Sequence, residues 1–343
     1  MNVDCCKKGD TLFFKQPPSI TGFAAVGGKK EGEGPLRECF DLLFEDNSLG
    51  EPTWEKSESS LQRYCIEQLM KKTQCTMNQI DYVLAGDLQN QCTASAYTLR
   101  GLDVQFLGLY GACSTMTEGL GVASVLAAGG MAKRVVAMAS SHFCAAERQF
   151  RTPLEYGGKR TPTAQWTVTA AGALLVEPEG TGPFVQAVTF GRVRDFQVTD
   201  ATNMGAAMAP AAAETILRYF QDSGYNPEQF DGIYTGDLGE VGSKLLLEIL
   251  EQNGLCLKNH FDCGTIIYDL ENQEVQCGGS GCGCSAGVLA GKLLPELKKG
   301  KLRRILMMST GALMSQTTAL QGESIPGIAH LVEISSVPKE EQL

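Results

Sequence analysis

The chain has 343 residues, 43% hydrophobic and 20% charged, an ordinary globular composition with enough length for two or three domains or two halves of one. A formal charge of -10, with no local run of Lys and Arg to reverse it, excludes nonspecific binding to nucleic acid. No apolar run reaches the ~18 residues that a membrane span needs, and MNVDCCKKGDTLFF has no signal-peptide core, so the 13 cysteines read as free thiols in a reducing compartment.

In chain order, a short apolar run ends at Gly86. A strand over 105–110 leads into a helix over 114–128, followed by strands over 135–140, 170–176 and 184–190. The same alternation then returns: strand 231–235, helix 241–252, strand 263–268, helix 285–298, and strands 303–309 and 328–334. Three blocks recur in order. DYVLAGDL (81–88) matches DGIYTGDL (231–238), GGMAKRVVAMAS (129–140) matches KGKLRRILMMST (299–310), and GALLVE (172–177) matches IAHLVE (328–333). A repeat of this length is a duplicated domain, with halves 1–190 and 191–343. Alternating strands and helices predict largely parallel sheets covered on both faces. The helix after Cys113 is apolar or small on nearly every side, and GGSGCGCSAGVLAG (278–291) is its second-half counterpart. Helices of that kind lie inside, so two sheets should sandwich a central helix layer.

The stretch YGACSTMTEGL (110–120) sets Cys113 at a strand-to-helix turn. Free N–H groups and the helix dipole there favour a thiolate and can form an oxyanion hole; otherwise Cys113 is a small core residue. Cys263, Cys277, Cys282 and Cys284 lack zinc-knuckle spacing and read as buried thiols rather than metal ligands. The glycines at 278, 279, 281 and 283 have no following Lys-Ser/Thr, and they read as close helix packing rather than a phosphate loop. His142 lies just past strand 135–140, at the end where such sheets gather ligands. Arg148 and Arg151 follow it in a Gly-, Pro- and Thr-rich loop and suit a carboxylate partner. Asp87 and Asp237 are pseudo-symmetric strand-end residues that read first as turn caps.

YGACST followed by a small-residue helix resembles the nucleophile turn of the thiolase superfamily, across nearly the whole chain. That resemblance implies a duplicated αβαβα five-layer fold of the α/β class. It also implies a homodimer paired through the first-half strand near 105–110. Where the superfamily's Gly-His-Pro-x-Gly-x-Ser-Gly stretch aligns with GSGCGCSA (279–286), the histidine position holds Ser280 and the proline position Gly281. The asparagine-bearing block falls near TGDLGE (235–240), which offers Asp237. More narrowly, ASSHFCAAERQFRTPLEYGGKRTPTAQWTVTAAGALLV, DCGTIIYDLENQEV and GGSGCGCSAGV resemble the stage V sporulation protein AD family of spore-forming Firmicutes. The resemblance implies non-enzymatic binding of dipicolinic acid, pyridine-2,6-dicarboxylate, alone or with calcium, for uptake into the developing spore and release in germination. It implies no cofactor, a peripheral place at the spore inner membrane, and membrane-protein partners from the same sporulation operon. The ligand-binding set expected from these readings is Cys113, His142, Arg148, Ser280 and Asp237. The alternative is an acyltransferase or thiolase using Cys113 as nucleophile with coenzyme A thioesters.

Overall fold

The structure is a computed structural model, and it describes residues 5–150 and 160–338. Its first half contains β1 (Ser19–Gly27), α1 (Trp54–Thr73), β2 (Tyr82–Gly86), α2 (Thr93–Leu99), β3 (Gln105–Gly108), α3 (Thr115–Ala128), β4 (Val135–Ser141), α4 (Phe143–Phe150) and β5 (Ala170–Glu177). The second half contains β6 (Phe184–Thr189), α5 (Met204–Ser223), β7 (Gly232–Thr235), α6 (Gly239–Gln252), β8 (His260–Asp262), α7 (Cys282–Val288), β9 (Arg304–Ala312) and β10 (Gly327–Ser335).

The strands run in the order β8-β7-β9-β10-β6-β1-β5-β4-β2-β3, two equivalent five-stranded sheets joined where Phe184 meets Ser19. Each sheet is mixed rather than largely parallel. The β3–β2–β4 and β8–β7–β9 pairs are parallel. The β4–β5–β1 and β9–β10–β6 pairs are antiparallel. The connections into β5 and β10 return the chain antiparallel to β4 and β9, and this sets the mixed pattern. Strand β6 pairs along its length with β10, so counted by sheet the second half begins at this strand.

The central helix α3 packs against β2, β4 and β5 on one side and β9 and β10 on the other. Beside it, α7 packs on β1, β4 and β5. Helix α1 covers the outer face of the first sheet, and α5 with α6 covers that of the second. Five layers result. Helix α3 can sit between two sheets because Met116, Leu120, Ala123 and Ala127, with Gly119 and Gly121, leave no charged face inside. Helix α1 instead buries one stripe, Leu61, Cys65, Ile66 and Leu69, and begins where the Thr53 hydroxyl accepts the Lys56 N–H.

The run 263–268 is not a strand. The strand is β8, which ends at Asp262, and Asp262 caps a helical turn over Cys263–Ile266 by accepting the Gly264 N–H at 3.0 Å. The helix expected over 285–298 starts at Cys282 and passes through a π turn, Leu289–Leu293, before Leu294–Lys298. Glycines in the preceding turn serve close packing. Gly281 has φ of 102°, and a Cβ there would lie 2.6 Å from the Ser141 hydroxyl oxygen; at Gly283 a Cβ would lie 2.3 Å from the Ala170 carbonyl oxygen.

The duplication extends to hydrogen bonds. Asp81 Oδ2 accepts the N–H groups of Lys133 (2.6 Å) and Arg134 (3.0 Å), and Asp231 Oδ2 accepts those of Arg303 (2.6 Å) and Arg304 (2.9 Å). Each arginine then donates from Nε to a glutamate on the neighbouring strand, Arg134 to Glu177 (2.9 Å) and Arg304 to Glu333 (2.7 Å). The two clamps differ in burial. The Arg134 and Glu177 side chains are 33% and 22% exposed, against 14% and 3% for Arg304 and Glu333. Glu333 also accepts the Tyr219 hydroxyl. Arg304→Ala, which strands a buried carboxylate, should therefore cost about 3 kcal/mol in urea unfolding. Arg134→Ala should cost less than about 1 kcal/mol. Equal losses would show that burial does not separate them.

Candidate functional site

A cavity of about 460 Å³ opens beyond the C-terminal ends of the parallel strands. Leu88 and Asn90 follow β2, Ala112 and Cys113 precede α3, and Ala312 to Thr318 follow β9; Tyr110, Gln149 and Met204 complete the wall. No Asp, Glu, Lys, Arg or His is among these described lining residues.

Cys113 occupies a 3-10 turn, Ala112–Ser114, closed by the Ser114 N–H on the Gly111 carbonyl at 3.1 Å. The turn is tight enough to hold Ala112 at φ of 52°, a left-handed backbone that a non-glycine residue rarely adopts. The thiol is buried and faces Asp237, with Ser280 and the Gly281 N–H beside it. The Asp237 carboxyl, which has no exposure, accepts Gly281 N–H (2.9 Å) and the Ser280 hydroxyl (3.2 Å) on Oδ2 and the Thr310 hydroxyl (2.7 Å) on Oδ1. Its own loop is fixed by Asp262, which accepts the N–H groups of Leu238 (2.8 Å) and Gly239 (3.0 Å). Two strand ends and the turn before α7 thus converge on one carboxyl under the cysteine.

This environment reverses the expectation of an acidic thiol. Burial raises the Cys113 pKa well above its ordinary value, and the Asp237 carboxyl, first as a charge and then as the hydrogen-bond acceptor of the thiol, raises it further. The hydrogen bonds from Gly281 and Ser280 pull the other way and do not offset it. Cys113 is held as a neutral thiol.

Of the expected set, the structure brings Cys113, Asp237 and Ser280 together. His142 and Arg148 lie elsewhere. The buried His142 ring donates from Nε2 to the Asn47 carbonyl (2.7 Å), accepts the Ala145 N–H on Nδ1 (3.5 Å) and stacks on Trp54. Burial lowers its pKa, as suits a neutral helix cap. Arg148 points from α4 to Glu55, with which it forms an ion pair. Arg151 lies outside the described residues. Asp87 caps its turn by accepting the N–H groups of Gln89 (2.9 Å) and Ser95 (2.8 Å). The other histidines also stand away from the cavity. His260 meets the Thr235 hydroxyl, His330 accepts the Gly191 N–H, and burial lowers both to about 4. Cys263, Cys277, Cys282 and Cys284 are buried free thiols. Among the described residues, no group of three or more His, Cys, Asp or Glu is placed to hold a metal ion.

Sequence reasoning missed Asn90, Gln149, Met204 and the segment 312–318. The signal available was the polar run MSQTT directly after a second-half strand, the counterpart of the region after 135–140.

The family described as Stage V sporulation protein AD (SpoVAD) matches residues 8–335 of this chain. Stage V sporulation protein AD of Bacillus subtilis (strain 168) is 42% identical over 321 residues, 93% of this chain and 95% of that protein. The chain belongs to the stage V sporulation protein AD family. It is a sporulation protein by that membership. Similar solved structures include 3-oxoacyl-[acyl-carrier-protein] synthase III from Aquifex aeolicus VF5, at 13% identity and a TM-score of 0.57, covering 93% of this chain and 99% of that one. Cerulenin-bound OleA from Xanthomonas campestris has 16% identity and a TM-score of 0.58, covering 96% of this chain and 99% of that one. At such identities the likeness concerns the fold, which is thiolase-like. Within that fold the family member has Ser280 and Asp237, not a histidine, against its cysteine. Among the described residues, no helix is long and apolar enough to cross a membrane.

Proposed function

We propose that this chain binds dipicolinic acid, pyridine-2,6-dicarboxylate, in the cavity beside Cys113 and performs no covalent chemistry on it. Binding serves uptake of the ligand into the developing spore and its release in germination, at the inner membrane beside membrane proteins of the same operon. The observation that carries this reading is the cavity itself. Its volume of about 460 Å³ is within the range of roughly 300–1,000 Å³ that small-molecule sites occupy. Leu88, Met204 and Leu313 offer apolar surface to a flat ring, and Asn90, Tyr110, Gln149 and Thr318 offer neutral hydrogen-bond groups to carboxylates. With no charge among the described lining residues and a net charge of -10, a bare dianion meets an unfavourable field, whereas its one-to-one calcium chelate is neutral.

Calorimetric titration tests this. Pyridine-2,6-dicarboxylate should bind, more tightly with equimolar calcium, and the 3,5-isomer, whose carboxylates diverge from the ring nitrogen, should bind at least about tenfold more weakly. Equal binding of the isomers, or none of either, overturns the reading. The absence of enzymatic activity rests on the protonated Cys113 and on histidines that all face away from it. Incubation with acetyl-coenzyme A should leave Cys113 unmodified by mass spectrometry; an acyl group on it would restore the acyltransferase alternative.

The chain also pairs with a second copy through β3. Among the described residues this strand has a partner on one edge only, and Leu107, with Tyr97 and Tyr110 near it, is exposed. Sedimentation showing a monomer at micromolar concentration would reject the pairing.

A further inference from the structure

Behind the cavity wall lies a second carboxyl cluster that ligand binding does not use directly. Glu58 on α1 and Asp87 at the end of β2 both have no exposure. Asp87 Oδ2 accepts the Ser95 hydroxyl (2.6 Å) as well as the Ser95 N–H, and its Oδ1 accepts the Gln89 N–H. Glu58 Oε1 accepts the Ser140 hydroxyl (2.8 Å), and Oε2 pairs with the Gln89 side-chain amide (2.8 Å). Gln62 ties the halves of the cluster together, donating to Ser95 (3.0 Å) and Ser140 (2.7 Å). Gln89 therefore touches both carboxyls, one with its backbone and one with its side chain.

Among the described residues, the charged and titratable surroundings supply no cation. Glu55, one turn earlier on α1, adds like charge, and Asp87 adds more from β2. From the central layer comes the Cys282 thiol, which donates to the Ser140 carbonyl at 2.8 Å. Cys92 and Tyr110 face Asp87 and are neutral. On the α4 side, Arg148 and His142 are engaged by Glu55 and Asn47. Two dry carboxyls without a cation do not both ionise near neutrality. Asp87 accepts three hydrogen bonds, two of them from backbone N–H groups, against two side-chain donors on Glu58, so Asp87 carries the charge. The cluster also lacks a hydrogen: the buried Oε1 atoms of Gln62 and Gln89 receive no donor.

The segment these groups hold is the cavity wall. Leu88 and Asn90 line the cavity on either side of Gln89, and Gln91 and Cys92 follow with φ of 58° and 53°. Two consecutive left-handed non-glycine residues need outside restraint to persist.

We propose that Glu58 and Asp87 share one proton, and that this proton fixes the 87–92 segment, making Glu58 a positioning residue through which ligand binding in the cavity responds to pH. The ligand arm rests on the dipicolinate reading; the structural arm does not. Burial, and next the Asp87 charge, push Glu58 up to about 8. The sign follows. A carboxyl raised in the folded state stabilises it fully below the ordinary carboxylate range, and that contribution is lost as pH rises through about 8. The wall should loosen progressively as pH rises from the carboxylate range and reach its loosest state just above pH 8.

Hydrogen–deuterium exchange on the full chain, corrected for intrinsic rates, reads the wall directly. Protection of peptides spanning 87–95 should fall about tenfold between pH 7 and 9, and dipicolinate affinity should fall in parallel by a similar factor, since each pH unit up to about 8 removes about tenfold of the protonated form's advantage. Glu58→Gln, neutral at every pH, should keep both values flat. A component of the infrared carbonyl band that titrates near pH 8 should be present in the wild type and absent from Glu58→Gln, beside the components of other buried carboxyls such as Asp262. Flat wild-type protection, a missing band, or a Glu58→Gln variant with the wild-type pH response overturns the proposal. The wild-type series and the band need no variant to fold. If exchange and band behave as stated while dipicolinate binds at no pH, the ligand reading fails and the shared proton stands.

Discussion

Leu313→Trp should reduce dipicolinate affinity about 100-fold while the melting temperature stays within about 3 °C. Leu313 lines the cavity and is half-buried, and its N–H is held by the Pro326 carbonyl at 2.8 Å, so a larger side chain has the cavity as its open direction. A rigid, flat ligand cannot bend around an intruding indole, and a misfit of this kind costs about 1–3 kcal/mol. Cys113→Leu intrudes from the inner end and should act in the same direction, with a larger loss of stability because the thiol packs against Asp237. Titration beside a thermal melt checks both variants. Unchanged affinity in both, with the melts intact, would move the ligand out of this cavity. A bulky residue at position 142 is no substitute for these tests: it would remove the cap of α4 and the contact to Asn47 rather than enter the cavity.

The second large effect concerns Asp237. Asp237→Ala removes the acceptor of four buried donors, the Gly281 N–H, the Ser280 and Thr310 hydroxyls and the Cys113 thiol. With each orphaned group worth about 1–3 kcal/mol, the loss should be about 3 kcal/mol in urea unfolding. Asp237→Asn keeps the shape and an acceptor oxygen and should cost about 1 kcal/mol. It also removes the charge that helps hold Cys113 protonated. Iodoacetamide at pH 7.5, read by peptide mass spectrometry, should label the exposed Cys6 and Cys256 in the wild type and leave Cys113 untouched. In Asp237→Asn, labelling of Cys113 should rise several-fold, because a cause that raises the thiol's pKa is gone. No change there would show that burial alone keeps the thiol neutral.

The frame of the molecule was legible because periodicity and repetition are local properties. Strands β4, β5, β9 and β10 and helix α3 stand within three residues of their expected ends, and the recurring Asp81/Asp231 and Arg134/Arg304 blocks mark equivalent clamps. Helix α1 was not anticipated: its stripe of Leu61, Cys65, Ile66 and Leu69 is diluted by serines and glutamines, and one of its glutamates, Glu58, is buried. At the cavity, sequence reasoning found the correct end of the sheets and Cys113, but not the second-half part of the lining. It looked to His142 after β4, whereas much of the lining comes from 312–318 at the end of β9, the pseudo-equivalent strand. Two-fold repeats make such positions indistinguishable until packing breaks the symmetry. Here Trp54 and Asn47 occupy one side and leave the other open. The acidity of Cys113 was misjudged for a related reason. A helix terminus is visible in sequence, but the Asp237 carboxyl that counters it arrives from 124 positions away.

The Asp-Arg-Glu clamps lie where the parallel strands begin, and the cavity lies where they end. The molecule therefore has a floor that fixes and a rim that varies, with the full length of a strand between them. Substitutions at the rim can be drawn freely for a different small molecule without touching the residues that hold the sheets, and the floor can be stiffened, for instance by burying the Arg134 clamp as deeply as its twin, without altering what the rim selects.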